Sequence, residues 1–216
     1  MRTEPGWVRE TLSSPRFAPY LAKAGGDLAA AIELYWWNVD ISAAFYVPLH
    51  CLEMALRNAL HRQLSESFGR DDWWSVVPLR KKGPQLVADA RRKLTERGRS
   101  GTADNVVAEL SLGFWVSLIS RNYTRDLWVP YLHKVFRHYP GGRGALHHDL
   151  TTVLLFRNRI MHHEPIHHRH LEADHRTIRR VLGYLSPAMI TQLESYDRVE
   201  RTLKQRPAPP EGVVDE

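Results

Sequence analysis

The 216-residue sequence contains a single cysteine, Cys51, and lacks the features of a secreted or membrane protein. One cysteine excludes an intrachain disulfide and any zinc module built on several cysteines, and it suits a reducing compartment. No run of about 18 consecutive apolar residues occurs, and Glu4, Pro5 and Arg9 stand where a signal peptide has its apolar core. We therefore expect a cytoplasmic protein that does not use a membrane.

Alternating apolar and polar residues over the length of a strand are also scarce, whereas apolar residues recur at helical spacing along most of the chain. This pattern predicts an all-α fold, a single-domain helical bundle with additional short helices, over residues 27–204. Residues 1–26 contain several prolines and glycines and are expected to form an irregular arm. Residues 205–216 are expected to form a flexible tail.

Two long helices are predicted at the start of the domain, on either side of Pro48. Leu28–Val47 has apolar residues at helical spacing, and Leu49–Phe68 repeats the pattern up to Gly69, a typical C-cap. Pro48 is expected to end or kink the first helix, because proline has no amide donor. The apolar stripe predicted for the first helix consists of Leu28, Ile32, Tyr35, Trp36, Val39, Ala43 and Tyr46.

Basic residues outnumber acidic ones, 30 to 24, which favours a polyanionic partner such as nucleic acid. The segment 80–99 concentrates this charge, with eight basic residues against two acidic ones. It is either a solvated helix face or a surface that binds phosphates. Its candidate RNA-binding residues are Arg80, Lys81, Lys82, Arg91, Arg92 and Lys93.

The segment with the clearest chemical content, Leu155–Ile166, lies at the end of a helix predicted from Gly144. Two arginines, an asparagine and two histidines are crowded there. Pro165 disfavours helical geometry at Glu164, so the helix is expected to end near His163. Basic side chains at a helix C-terminus are also favoured by the helix dipole alone, so a purely structural role stays open.

Helical spacing places these side chains on neighbouring faces. Asn158 and His162 are four residues apart and share a face, as do Arg159 and His163. Arg157 is turned about 140° from His162 on an ideal helix. The two can cooperate if the long arginine side chain, or a distortion of the helix end, makes up that angle.

An arginine and a histidine suffice for RNA cleavage without a metal ion. Imidazole titrates near neutral pH and can remove the ribose 2′-hydroxyl proton, after which the oxygen attacks the adjacent phosphorus. A guanidinium stabilises the charge of the phosphorane-like transition state. The leaving group can take its proton from the other histidine or from a second subunit. DNA has no 2′-hydroxyl, so this chemistry selects RNA.

The stretch Arg157–His162 (RNRIMH) resembles the R-N-x-x-x-H motif of the HEPN superfamily, and His163–Ile166 (HEPI) is similar to the continuation found in its Abi-like (abortive infection) branch. Two further blocks support the resemblance. Leu52–Leu60 resembles the early helix of Abi-like proteins, and Leu110–Val116 resembles their central segment. The similarity extends over roughly residues 27–185.

The resemblance implies a helical bundle that dimerises so that two motifs meet in one cleft. It also implies a metal-independent endoribonuclease, usually of phage-defence or toxin type, that uses no cofactor and is restrained by an antitoxin or other regulatory partner. Arg157 would bind phosphate, Asn158 would orient the site and His162 would be the acid/base residue. His163 is a candidate helper, and Arg159 a further RNA-binding residue.

Two other functions stay open at this point. Some HEPN-like proteins bind RNA or partner proteins without cleaving RNA. Eight of the twelve histidines lie between positions 147 and 175, which also suggests a metallohydrolase, although their spacing matches no helix-borne metal motif. The residues considered for a metal are His167, His168, His170, His175, Glu164 and Glu172.

A polar stripe on the second predicted helix comprises Glu53, Arg57 and Asn58. Glu53 and Arg57 are four residues apart and can form an ion pair within the helix. Alternatively the stripe faces the motif and positions Arg157 or His162. The seven tryptophans are expected mainly in the core or at a dimer interface, with base stacking as the alternative.

Overall fold

A computed structural model describes residues 5–80 and 82–208, and every regular element in these ranges is helical. The prediction of an all-α helical bundle is confirmed. The α-helices of the described chain are α1 (Ser14–Lys23), α2 (Leu28–Phe68), α3 (Gly83–Glu96), α4 (Ala103–Glu109), α5 (Leu112–Ser117), α6 (Arg143–Met161), α7 (Leu171–Leu185), α8 (Pro187–Leu193) and α9 (Val199–Leu203). Short 3₁₀ or π turns occur at Val8–Leu12, Trp73–Ser75, Arg121–Tyr123, Thr124–Trp128 and Leu132–Phe136.

Helix α2 is the central element of the fold. Its 41 residues, about 60 Å long at the helical rise, contact α1, α5, α7, α8 and α9. The Asp27 side chain accepts a hydrogen bond from the Ala30 amide at 3.0 Å and caps the helix, and Gly69, with a φ of 66°, ends it. By length and composition alone α2 could cross a membrane. A core helix that is packed by other helices on several sides has the same composition.

A helix end at Pro48, one of the two outcomes predicted there, is wrong, because α2 continues through this residue. Pro48 is itself buried, and its neighbours Phe45 and Leu49 are part of the core. Phe45 packs edge-on against Phe156 of α6, with ring centroids 4.8 Å apart. The helix loses one backbone hydrogen bond at the proline, and core packing on both sides of it offsets that loss.

The buried stripe in the first half of α2 differs from the stripe that the spacing predicts. Trp36 and Tyr46 of the predicted stripe are 53% and 54% exposed, and Val39 is 37% exposed. This half of α2 therefore has two apolar stripes, and the bundle covers only part of them. The residues that are buried are Ala31, Leu34, Trp37, Asn38, Ile41, Ala44 and Phe45.

The described part of the N-terminal segment is not the irregular arm that its prolines and glycines predict. Residues Ser14–Lys23 form α1, which packs along α2. Tyr20 of α1 meets Tyr35 of α2 edge-on, with ring centroids 5.4 Å apart, and Phe17 is fully buried. Contact with α2 stabilises a helix that is too short to be stable alone, so the folded domain begins before residue 27.

The described part of the predicted C-terminal tail also contacts the domain. Arg206 donates a hydrogen bond to the His167 carbonyl at 3.0 Å, and its guanidinium lies 5.3 Å from the centre of a Trp37 ring. The residues just after α9 are therefore held against the bundle. Residues 1–4 of the predicted arm and 209–216 of the predicted tail lie outside the described ranges.

Candidate functional site

The predicted motif lies at the C-terminal end of α6, where the chain reverses direction. His162 caps the helix, and His163 follows with a positive φ of 56°. The Glu164 amide bonds back to the Arg159 carbonyl at 2.9 Å. The His163 amide bonds to the Ile160 carbonyl at 3.0 Å, which completes a Schellman motif. The helix therefore ends as predicted, and the left-handed position that usually holds glycine holds a histidine.

The loop after α6 is attached to α2 through one buried side-chain amide. The Oδ1 atom of Asn38 accepts hydrogen bonds from the backbone amides of Ile166 at 2.8 Å and His167 at 3.1 Å. These buried donors would otherwise be unpaired, so Asn38 fixes the course of the loop. Asn38 is not among the site residues predicted from the sequence, although a lone asparagine within an apolar stretch of α2 is a usable signal.

Arg157 faces α2 and is held there by a carboxylate. Its Nε atom lies 3.4 Å from Oε2 of Glu53, and the two side chains are 32% and 24% exposed. This contact is the one expected if Glu53 positions Arg157. Arg57 instead donates to Met54 Sδ at 2.9 Å and to Asn58 Oδ1 at 3.4 Å. Within the described chain no hydrogen bond or ion pair joins Arg57 or Asn58 to the motif.

The two imidazoles of the motif, His162 and His163, are exposed to solvent. Neither ring, nor the side chain of Asn158, has a hydrogen bond or ion pair with another described residue. No such contact joins His162 to Arg157 either, so the angle of about 140° that separates them on an ideal helix is not closed. One protomer thus presents the arginine against α2 and the histidine to solvent.

A groove of about 610 Å³ lies between α2 and the end of α6. His163 and Glu164 line it, whereas Arg157 and His162 do not. The groove adjoins the uncovered stripe of α2, so the end of the motif borders an apolar surface. The other lining residues are Tyr20, Tyr35, Asn38, Val39, Ser42, Ala43, Tyr46, Ile160 and Met161.

Four of the eight basic residues in the segment 80–99 form ion pairs within the described part of the chain. Lys82 and Arg91 are exposed and unpaired among the described residues, and Lys81 lies outside them. The segment offers fewer free cations to a polyanion than predicted, because the fold brings acidic residues to it. The ion pairs are Arg80–Asp126, Arg92–Asp89, Arg92–Glu96, Lys93–Glu109 and Arg97–Glu109.

Arg159, also predicted to bind RNA, contacts the loop after α6. Its Nη2 atom donates to the Pro165 carbonyl at 3.3 Å and lies 3.6 Å from Oε2 of Glu164. These contacts hold the turn that carries His163, so in this structure Arg159 stabilises the end of the motif.

The histidines that suggested a metal site lie in separate environments. The Nε2 atom of His175 is 2.7 Å from Asp197, and His170 caps the start of α7. His167 is buried beside Tyr20, and neither of its ring nitrogens has a partner. Among the described residues no three His, Cys, Asp or Glu side chains are grouped as metal ligands. The metallohydrolase alternative therefore has no assembled ligand set in the described part of the chain.

No protein family, curated protein or solved structure matches the chain in comparisons of sequence and fold. Membership of the HEPN superfamily stays a prediction that depends on three sequence blocks. The candidate catalytic side chains lie at the end of α6. A guanidinium held by Glu53 and two accessible imidazoles lie there beside an apolar surface.

Proposed function

We propose that the protein is a metal-independent endoribonuclease of phage-defence or toxin type that acts as a homodimer in the cytoplasm. The observation that carries the proposal is the position of His162 on α6. It lies two helical turns after Leu155 and only about 20° around an ideal helix from it, and Leu155 is 59% exposed. A second copy that covers Leu155 would lie against His162.

The uncovered apolar surface supplies a reason for dimerisation. Trp36, Val39 and Tyr46 of α2 are exposed, and Met161 of the motif helix lines the same groove as the last two. Large apolar side chains exposed together mark interaction surfaces in soluble proteins. A dimer that covers both this surface and Leu155 brings two copies of His162 toward one cleft and allows the arginine of one protomer to act with the histidine of the other.

The chemistry follows from the side chains in that cleft. His162 removes the proton of a ribose 2′-hydroxyl, and the oxygen attacks the adjacent phosphorus. Arg157 contacts Glu53 through Nε, so both Nη groups remain for the phosphate oxygens of the transition state. The 5′-oxygen leaves with a proton from His163 or from the second copy of His162, and Asn158 orients the site. The products are a 2′,3′-cyclic phosphate and a 5′-hydroxyl.

Cleavage of RNA in EDTA by the purified protein tests this mechanism. The products should carry the two end groups named above, and His162→Ala should lower the rate by a factor of about 10²–10⁴, the usual contribution of a general acid or base. The matched control is His148→Ala, an exposed histidine about 20 Å away on the first half of α6, which should leave the rate unchanged. Cleavage by His162→Ala at the wild-type rate would overturn the proposal.

A noncatalytic module that binds RNA or a partner protein is the second candidate. Two observations favour it: Arg157 already pairs with Glu53, and no hydrogen bond joins it to His162 within the described chain. This candidate predicts RNA binding that weakens steeply with salt and no cleavage in any buffer. Analysis of the RNA ends after incubation distinguishes the two candidates.

A further inference from the structure

A second concave surface, which we name the basic groove, lies around the 3₁₀ turn Leu132–Phe136. It consists of two adjoining clefts. One, of about 370 Å³, is lined by this turn, by α2 and by the junction of α7 and α8. The other, of about 550 Å³, is lined by the same turn and by residues up to the start of α6. Lys134 and Arg137 line both clefts, so the two share a basic wall.

Three cations of the basic groove are left unpaired by the fold, whereas Arg143 donates a hydrogen bond to the Ile119 carbonyl at 2.8 Å. The side chains of Arg62, Lys134 and Arg137 have no ion pair or hydrogen bond with another described residue. Among the described residues that line the two clefts, Glu66 is the only one with a carboxylate. Unpaired cations that face one concavity concentrate positive potential there and attract polyanions. The other basic residues of the lining are His133, His138 and Arg143.

Aromatic rings accompany these cations. Trp128 and Tyr139 line the larger cleft, and Tyr184 lines the smaller one. The rings of Tyr139 and Tyr184 pack together with centroids 5.0 Å apart, so the aromatic surface is continuous between the clefts. Tyr139 also lies over Gly141, where a Cβ would come within 2.6 Å of its Cζ atom. A basic groove with rings on which bases can stack is typical of proteins that hold single-stranded nucleic acid.

The basic groove is separate from the motif. Arg62 lies about half a turn around α2 from Glu53, and therefore on the opposite side of that helix. Arg143 is the first residue of α6, whereas the motif occupies its last turn, about 27 Å away along the helix. A ligand that reaches both places must be a polymer rather than a mononucleotide.

We propose that the basic groove binds the phosphodiester backbone of single-stranded RNA, with bases stacked on its aromatic rings, and holds the substrate while another part of the strand reaches the motif. Two clefts with a shared basic wall suit successive phosphates of one strand. The choice of RNA rests on the proposed function, whereas the binding of a single-stranded polyanion follows from the groove itself.

Binding is measured with a fluorescently labelled single-stranded RNA oligonucleotide and full-length protein carrying His162→Ala, so that no cleavage interferes. Adding Lys134→Glu and Arg137→Glu should weaken binding at least 10-fold. It should also reduce the slope of log K against log salt by about 1.4, the value for two lost phosphate contacts on a single strand. The matched control, Arg198→Glu with Arg201→Glu, changes the net charge equally at exposed positions of the α9 region and should change affinity less than 2-fold.

Three results would overturn the proposal: equal losses in the groove and control variants, tighter binding of double-stranded than of single-stranded RNA, or competition by a mononucleotide as strong as that of the oligonucleotide. Circular dichroism checks the fold of each variant. If charge reversal prevents folding, Lys134→Gln with Arg137→Gln provides the same comparison. If the wild-type protein cleaves no RNA but binds it through the basic groove, the ribonuclease proposal is wrong and the proposal for the groove is supported.

Discussion

Among single residues of the candidate site, His163 has the least favourable backbone conformation. Its φ of 56° lies in the left-handed region, which costs a residue with a Cβ about 1 kcal/mol or more. Helix α2 ends in the same conformation with Gly69, which has no such cost. The surrounding hydrogen bonds hold this conformation, residues strained in this way cluster at functional sites, and His163 lines the groove beside the motif.

His163→Gly should raise the free energy of unfolding by about 0.5–1 kcal/mol, because glycine adopts this conformation without strain. It should also slow RNA cleavage, because the second imidazole is lost. Urea denaturation and the cleavage assay, run on the same preparation, measure both effects. His163→Ala is the control, since it removes the imidazole and keeps the strain, and it should show only the slower cleavage. A His163→Gly protein that is less stable than wild type would contradict the strain argument.

At the level of elements, the loop between α6 and α7 connects the candidate site to the core. Asn38 binds its amides, and the ring of His167 lies 5.0 Å from that of Tyr20 on α1. Burial, and then the nearby His168 and Arg206, lower the pKa of His167 to about 4. The folded state therefore contains the neutral form of this histidine at neutral pH.

Acid should lower the free energy of unfolding through the buried His167. The pKa of His167 is about 6.5 in the unfolded chain and about 4 in the folded one, so the unfolded state binds the proton more readily. Its contribution to the free energy of unfolding is complete above pH 6.5 and is lost as the pH falls toward 4, by about 3 kcal/mol in all.

Urea denaturation between pH 7 and pH 4 measures this loss. His167→Phe keeps an aromatic ring in the site and does not titrate, so it should flatten the pH dependence in this range. The control His148→Phe, at an exposed position, should leave the pH dependence of the free energy of unfolding as it is in the wild type. The same slope for wild type and His167→Phe would show that the buried imidazole is not the titrating group.

For the molecule as a whole, the fold gives the two sides of α2 different properties. One side carries the exposed apolar residues Val39 and Tyr46 together with Glu53, which holds the motif arginine. The other carries Arg62 and the basic groove. Dimerisation through the first side would leave the second side accessible, so assembly and RNA binding need not compete.

Leu155→Glu should convert a dimer into a monomer at micromolar concentration, because a charge would have to be buried in the apolar interface. The folded protomer should keep its stability, since Leu155 is largely exposed. Size-exclusion chromatography with light scattering measures the mass. Tyr196→Glu, at a position 67% exposed on the loop before α9, is the control and should stay dimeric. If the wild-type protein is monomeric under these conditions, the proposal that it acts as a dimer is wrong.

The features of the fold and site that could be predicted are those that depend on residues close together in the sequence. Helical spacing located the start of α2 at Leu28, Gly69 located its end, and Pro165 located the end of α6. The position of the motif at a helix terminus was predictable for the same reason. The helix end predicted at Pro48 was wrong because the prediction considered only the missing backbone donor and not the core packing around this residue.

Local chemistry in the amino-acid sequence was therefore enough to specify both ends of α2, the end of α6 and the place where the arginine and the histidines gather, since those properties act over one or two turns. Tertiary packing selected which apolar stripe of α2 is buried and which cations stay free. Arg80 is paired because folding brings Asp126 to it from 46 positions away, whereas Arg62 and Arg137 meet no carboxylate among the described residues. Burial and ion pairing depend on residues that are distant in the chain and adjacent after folding, so no pattern within one helix specifies them.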